Sequence, residues 1–210
     1  MFTLEEKDKL PAAILGRRSF LTGSVVLGVF LAWRFTERNQ PIHAETEAAD
    51  LPKTVTIVQF TDDGQRVSTV AVDRIIKSEA EWKRQLSSDA FAVTRHSATE
   101  PPFTNDNPSA DRKGVFRCIC CETALFNADT KFESGTGWPS FWTPIAKENI
   151  RETTDSSLGM VRTEVSCRLC DGHLGHVFDD GPRPTGLRYC MNSLALHFAE
   201  APRHKVQPAL

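Results

Sequence analysis

The 210-residue sequence has no long hydrophobic run, no surplus of either charge, no internal repeat and no nucleotide-binding glycine motif. Each absence removes a class of function. The apolar run from Leu21 to Trp33 falls short of the ~20 residues that span a bilayer. Net charge is −2, and no basic stripe marks a nucleic-acid partner. Without a glycine-rich phosphate loop, a bound nicotinamide dinucleotide is excluded. Helical periodicity is modest, and twelve Gly with twelve Pro argue against an all-α fold. What is there is ordinary for one globular core: 40% hydrophobic and 25% charged residues.

The first 44 residues carry six basic and four acidic residues, leaving 19 basic and 23 acidic for the remainder. Gly16-Arg17-Arg18-Ser19-Phe20-Leu21 precedes the apolar run. A short apolar stretch behind basic residues has the form of a signal-peptide core. Paired arginines before Ser-Phe-Leu are similar to a twin-arginine export signal. Ile42-His43-Ala44 offers a small-residue cleavage point. The competing reading is an uncleaved membrane anchor. In both, the folded domain lies outside the cytoplasm, in the periplasm, and touches membrane only through this segment. The expected organisation is a signal over 1–44, a polar linker over 45–53 and a folded domain over 54–210.

Within that domain, Val55–Phe60 and Val67–Val72 read as strands joined at Asp63-Gly64. Ser78 with Glu81 three residues on forms a capping box, predicting a helix to about Leu86. Phe91 to Asp111, rich in Pro, Asn, Ser and Thr, reads as irregular. Short β-type runs follow at Val115–Arg117, Val161–Val165, His176–Phe178 and Leu187–Met191, divided by Gly, Pro and Asp. The expectation is a mainly β fold of antiparallel sheets with short helices on its N-terminal side.

Six cysteines carry the chemistry. Cys118 and Cys121 form one C-x-x-C, Cys167 and Cys170 a second. Each such knuckle supplies half a tetrahedron of thiolates, so the four predict a structural zinc site with no open coordination position. Two disulfides are the alternative in an exported protein. Cys120 is an extra thiol that could shift the first pair to a C-x-C; equal spacing favours Cys118 and Cys121.

Cys190 stands alone. Side chains two apart on a strand share a face, which groups Arg188, Cys190 and Asn192. A guanidinium beside a thiol favours the reactive thiolate. His173 and His176 are candidate proton donors near neutral pH. The bland alternatives are a buried filler cysteine, a histidine pair that binds metal, or one satisfying a core carbonyl. Gly135-Thr136-Gly137-Trp138-Pro139-Ser140-Phe141-Trp142 is an apolar loop, either a plug over the core or a pocket wall for a small apolar group such as a methyl on sulfur.

With those residues in place, the chain resembles the methionine-R-sulfoxide reductase B family over roughly Val55 to Phe198. The matching stretches are KSEAEWKRQL, GVFRCICC, KFESGTGWPSFW and GMVRTEVSCRLCDGHLGHVFDDGPRPTGLRYCMNSLALHF. The resemblance implies two antiparallel sheets with N-terminal helices, and a zinc on Cys118, Cys121, Cys167 and Cys170 remote from the active site. It makes 54–210 the catalytic domain, with Cys190 as nucleophile, His173, His176, Asp180, Arg188 and Asn192 around it, and Trp138 against the substrate methyl. It implies reduction of the R epimer of methionine sulfoxide, free or in protein, by a monomer recycled by a thioredoxin-like thiol reductant. Thr136 stands where many members carry a resolving cysteine, so recycling by direct attack of an external thiol is expected, with Cys120 the only internal alternative. Two rivals remain at this point: a zinc-bearing β binding module without chemistry, and a thiol peroxidase or disulfide-exchange enzyme.

Overall fold

The computed structural model describes residues 52–104 and 111–202. The export-signal reading of 1–44 and nearly all of the 45–53 linker lie outside the described residues. Among those described, no helix is long and apolar enough to cross a membrane.

The expected hairpin is present as β1 (Thr54–Phe60) and β2 (Arg66–Asp73). Gly64, at φ +80, takes the left-handed turn position that a side chain disfavours. Asn149 latches this hairpin to the rest of the domain. It is fully buried; its Oδ1 accepts from Val58 N–H, and its Nδ2 donates to the carbonyls of Val58 and Ala124. Asn149→Ala strands three buried backbone groups. The expected loss is about 3 kcal/mol in urea unfolding, because each orphaned group keeps its full desolvation penalty.

Helix α1 (Glu79–Gln85) has the predicted capping box, with Ser78 and Glu81 bonded reciprocally. A second helix, α2 (Ser88–His96), corrects the irregular reading of its residues from Phe91 onward. Ser87 caps it through Ala90 N–H, and Phe91 and Val93 are buried. Thr94 is buried as well, because its hydroxyl donates to the Ala90 carbonyl. The hydrogen bond hides its polarity, which is what made the segment look like surface.

The remaining strands are β3 (Gly114–Cys118), β4 (Ala124–Asn127), β5 (Lys131–Phe132), β6 (Ser140–Phe141), β7 (Ile150–Asp155), β8 (Arg162–Cys167), β9 (His173–Phe178), β10 (Arg188–Met191) and β11 (Leu196–Glu200). They form two principal antiparallel sheets, β5-β6-β10-β9-β8-β7 and β11-β3-β4. With helices confined to the N-terminal side, this is the mainly β architecture expected. Alternation assigns each strand two faces. Phe141 and Tyr189 pair in register and join Phe126 and Phe116 of the smaller sheet, Phe126 and Phe141 stacking at 4.4 Å. The opposite face of the same strands carries Ser140 and Cys190, also in register.

Candidate active site

Strand β10 lies inside the large sheet, so both neighbours fix it. On the face away from the core, Cys190 pairs with His176 of β9, and His176 pairs with Glu164 of β8. Cys190 is half-buried; Tyr189 and Met191 are buried on the core side, as the alternation predicts.

His173 and His176 are three apart, which on a regular strand would send them to opposite faces. The β8–β9 ladder carries a bulge instead. Val165 pairs with Gly175 and Ser166 with His173, leaving Leu174 as an extra residue. The bulge swings His173 to the His176 side, with the rings 5.5 Å apart. Leu174's carbonyl, on the β10 side, accepts from both the backbone N–H and the Nδ2 of Asn192. Asn192 is buried, and its Oδ1 accepts from Glu100 N–H. Gly175 is required by approach rather than by flexibility: a Cβ there would lie 2.1 Å from the Cys190 carbonyl oxygen.

Each imidazole has a carboxylate, and neither is Asp180. His173 Nδ1 meets Glu164 Oε1 at 2.6 Å; His176 Nε2 meets Asp155 Oδ2 at 2.8 Å. The Asp155 oxygen also takes Arg162 at 2.6 Å. Hydrogen bonds from Ser157, then from His176, hold Asp155 well below the carboxylate range. The His173 bond lowers Glu164 against the opposing effect of burial. Both partners are therefore carboxylates at neutral pH, and the bonded ring nitrogens are donors. Burial lowers His176 more than Asp155 raises it, so this ring is neutral with its free lone pair on Nδ1. His173 Nε2 is buried without a hydrogen-bond partner.

Arg188 and Asp180 form a bidentate pair, 2.8 Å at both bonds, and the guanidinium lies 4.6 Å over Phe178. Asp180 thus holds Arg188 and orients no imidazole. Arg188 pulls Cys190 toward the thiolate, as does a hydrogen bond from Thr136, yet burial outweighs both and raises the thiol. The guanidinium does favour the thiolate, as its position in the sequence suggests, but burial leaves Cys190 a protonated thiol.

Cys190, His176, Arg162, Phe178, Trp138 and Asn192 line a cavity of about 160 Å³. Trp138's indole N–H donates to the Glu100 carbonyl at 3.0 Å, which fixes the ring. Glu100 is itself buried, and its carboxylate accepts from the N–H groups of Ser193 and Leu194. One residue therefore ties the Trp138 wall to the turn that follows Cys190.

The sequence reading missed Asp155, Arg162, Glu164 and Glu100. Glu164 and Arg162 were within reach, since alternation in Arg162-Thr163-Glu164 puts both on one face. Asp155 needed the β7–β8 pairing and Glu100 sat in a stretch read as wrapping.

The four knuckle cysteines gather as expected, their sulfurs all within 4.8 Å of one another. Cys118 and Cys170 approach to 3.7 Å, Cys121 and Cys167 to 3.5 Å. Tetrahedral zinc with ~2.3 Å bonds sets sulfurs about 3.8 Å apart, so the donors fit that ion. Both knuckles share one geometry. Glu122 N–H donates to Cys118 O and Asp171 N–H to Cys167 O, and Glu122 and Asp171 are each left-handed, at φ 59 and 53. One knuckle ends β3 and the other ends β8, so the cluster joins the two principal sheets. Cys120 is buried beside it.

A family model described as the SelR domain matches residues 86–200. A protein of Herminiimonas arsenicoxydans named peptide methionine sulfoxide reductase MsrB is 50% identical over 130 residues, covering 62% of this chain and 95% of that protein. Proteins of the same name from Hahella chejuensis (52% identical, 62% and 94% covered) and Bradyrhizobium diazoefficiens (53% identical, 59% and 89% covered) are similar to the same degree.

Proposed function

This chain belongs to the SelR-domain family that includes the MsrB peptide methionine sulfoxide reductases, and from that premise we infer how its residues act. It reduces the R epimer of methionine sulfoxide to methionine, using thiol reductants. The observation that carries the reading is the row Cys190–His176–Glu164 beside the Trp138 wall, in a cavity sized for one side chain.

The substrate methyl packs on Trp138. His176, neutral and held by Asp155, takes the Cys190 proton on Nδ1 as the thiolate attacks the sulfoxide sulfur. The same proton then passes to the sulfoxide oxygen. The oxygen then shifts to the Cys190 sulfur: the Sγ–O bond forms as the substrate S–O bond and the transient bond between the two sulfurs break, so methionine leaves and Cys190 keeps the oxygen as a sulfenic acid. His173, anchored on Glu164, supplies the second imidazole. Arg188, held by Asp180, stabilises the thiolate. Two external thiols return Cys190 to the thiol, releasing water and their own disulfide. Thr136 cannot form an internal disulfide with Cys190, which supports direct attack by a thioredoxin-like reductant.

Zinc on Cys118, Cys121, Cys167 and Cys170 would supply a cross-link between the sheets and no catalytic position. The twin-arginine segment supports export and a periplasmic location, with the zinc loaded before the protein meets an oxidising compartment.

The test is the purified protein with dithiothreitol on separated epimers, and mass spectrometry of Cys190 after sulfoxide without reductant. The expected results are turnover of the R epimer alone and one added oxygen on Cys190. Turnover of neither epimer would favour the non-catalytic zinc module.

A further inference from the structure

Phe103 stands beside the Cys190 cavity in a backbone conformation that an aromatic residue rarely adopts, at φ 61. Its N–H donates to the Gly137 carbonyl at 3.0 Å. Its ring lies so close to Gly137 that a Cβ there would be 2.6 Å from a ring carbon. The next residue is Trp138, so Phe103 extends the apolar wall outward from the cavity. The residue nonetheless stays 77% exposed. Strained backbone that displays an apolar side chain to water beside a reactive group points to a ligand. The opposite wall has a matching feature. Arg162 lines the cavity, and the two residues before it, Met160 and Val161, are 54% and 79% exposed. Five large hydrophobic residues are exposed among the described residues, and these three flank segments that wall this one cavity.

The cavity holds one side chain, so the rest of a polypeptide substrate must lie on the rim. In an extended chain, side chains two residues apart point the same way, about 7 Å apart. With the sulfoxide pointing inward, residues two before and two after it face the protein.

We propose that Phe103, with Met160 and Val161, forms an apolar rim that grips the ±2 residues of an extended polypeptide carrying the oxidised methionine. The rim selects sulfoxides in apolar sequence contexts. This rests on the reductase reading and adds to it the substrate context.

The experiment compares kcat/KM for acetyl-Leu-Gly-Met(O)-Gly-Leu-amide, the same peptide with Ser at ±2, and N-acetyl-methionine sulfoxide. In the wild-type protein the Leu peptide is expected to exceed the Ser peptide by about tenfold, through KM rather than kcat. Phe103→Gly removes the ring and suits the left-handed backbone, so its melting temperature is expected to equal or exceed wild type. Its Leu-to-Ser ratio should fall most of the way to one, as should that of Met160→Ser/Val161→Ser. Equal KM values for the two peptides in wild type would overturn the rim. So would a Phe103→Gly protein that keeps the ratio, or one that melts lower, since the ring would then be a packing residue. No turnover of N-acetyl-methionine sulfoxide by wild type would overturn the reductase reading and the rim with it.

Discussion

Cys190→Ser is expected to reduce turnover by at least about four orders of magnitude, to the background of dithiothreitol alone, while fold and metal content stay at wild-type levels. The reason is chemical rather than steric. A hydroxyl in the same place is a far weaker nucleophile, and oxygen cannot accept a second oxygen and hand it back to thiols as sulfur does. Serine is close in size, and the half-buried position on β10 tolerates the change, so a stability loss would not explain inactivity. Unchanged melting temperature and metal stoichiometry, measured on the same sample, separate the two effects. Appreciable residual activity would move the nucleophile to another thiol. In the wild-type protein, alkylation of Cys190 by iodoacetamide should climb only above the pH at which an ordinary thiol reacts. Burial raises this thiol more than Arg188 and Thr136 lower it, so the thiolate fraction lags a free cysteine at any given pH. A plateau already reached at neutral pH would show a resting thiolate and remove the need for His176 as base.

Cys167→Ser is expected to produce the largest loss of stability in the domain, about 5 kcal/mol, with a fall of the melting temperature by ~15 °C and loss of bound zinc. The substitution breaks one corner of a cluster that joins β3 to β8, and with them the two sheets that enclose the aromatic core. A strong chelator at moderate urea should unfold the wild-type protein in the same way, and dithiothreitol should not. The opposite pattern, sensitivity to reductant and indifference to chelator, would mean two disulfides in place of a metal. An unchanged melting temperature in Cys167→Ser would remove the stapling role altogether. The readouts here are metal content and unfolding, so they stand independently of catalysis.

Much of this site was legible in the residues because its logic is local. A C-x-x-C knuckle needs only one turn, and strand alternation is a property of four residues, so Cys118, Cys121, Cys167, Cys170 and the face of Cys190 could be read directly. Pairing is not local. Asp155 reaches His176 because β7 and β9 both flank β8, and Asp180 reaches Arg188 across a loop, so which carboxylate served which side chain depended on a register that spacing does not give. The sign of the Cys190 shift was lost for a similar reason. Sequence placed a guanidinium nearby but gave no measure of burial, and burial decides. Helix α2 was missed because Ser87 and Thr94 satisfy their own backbone, and a residue so satisfied looks no different in a sequence from one facing water.

The bulge at Leu174 makes the site a matter of counting. A β8 strand with one more residue opposite Leu174 would erase the bulge, hold the same amino acids at the reaction centre and could keep both sheets and their metal. His173 would then face the hydrophobic interior, and Leu174 would take its place beside His176. The pair of imidazoles is thus written in the length of a single strand, so insertions and deletions there are a harsher filter on this activity than most substitutions.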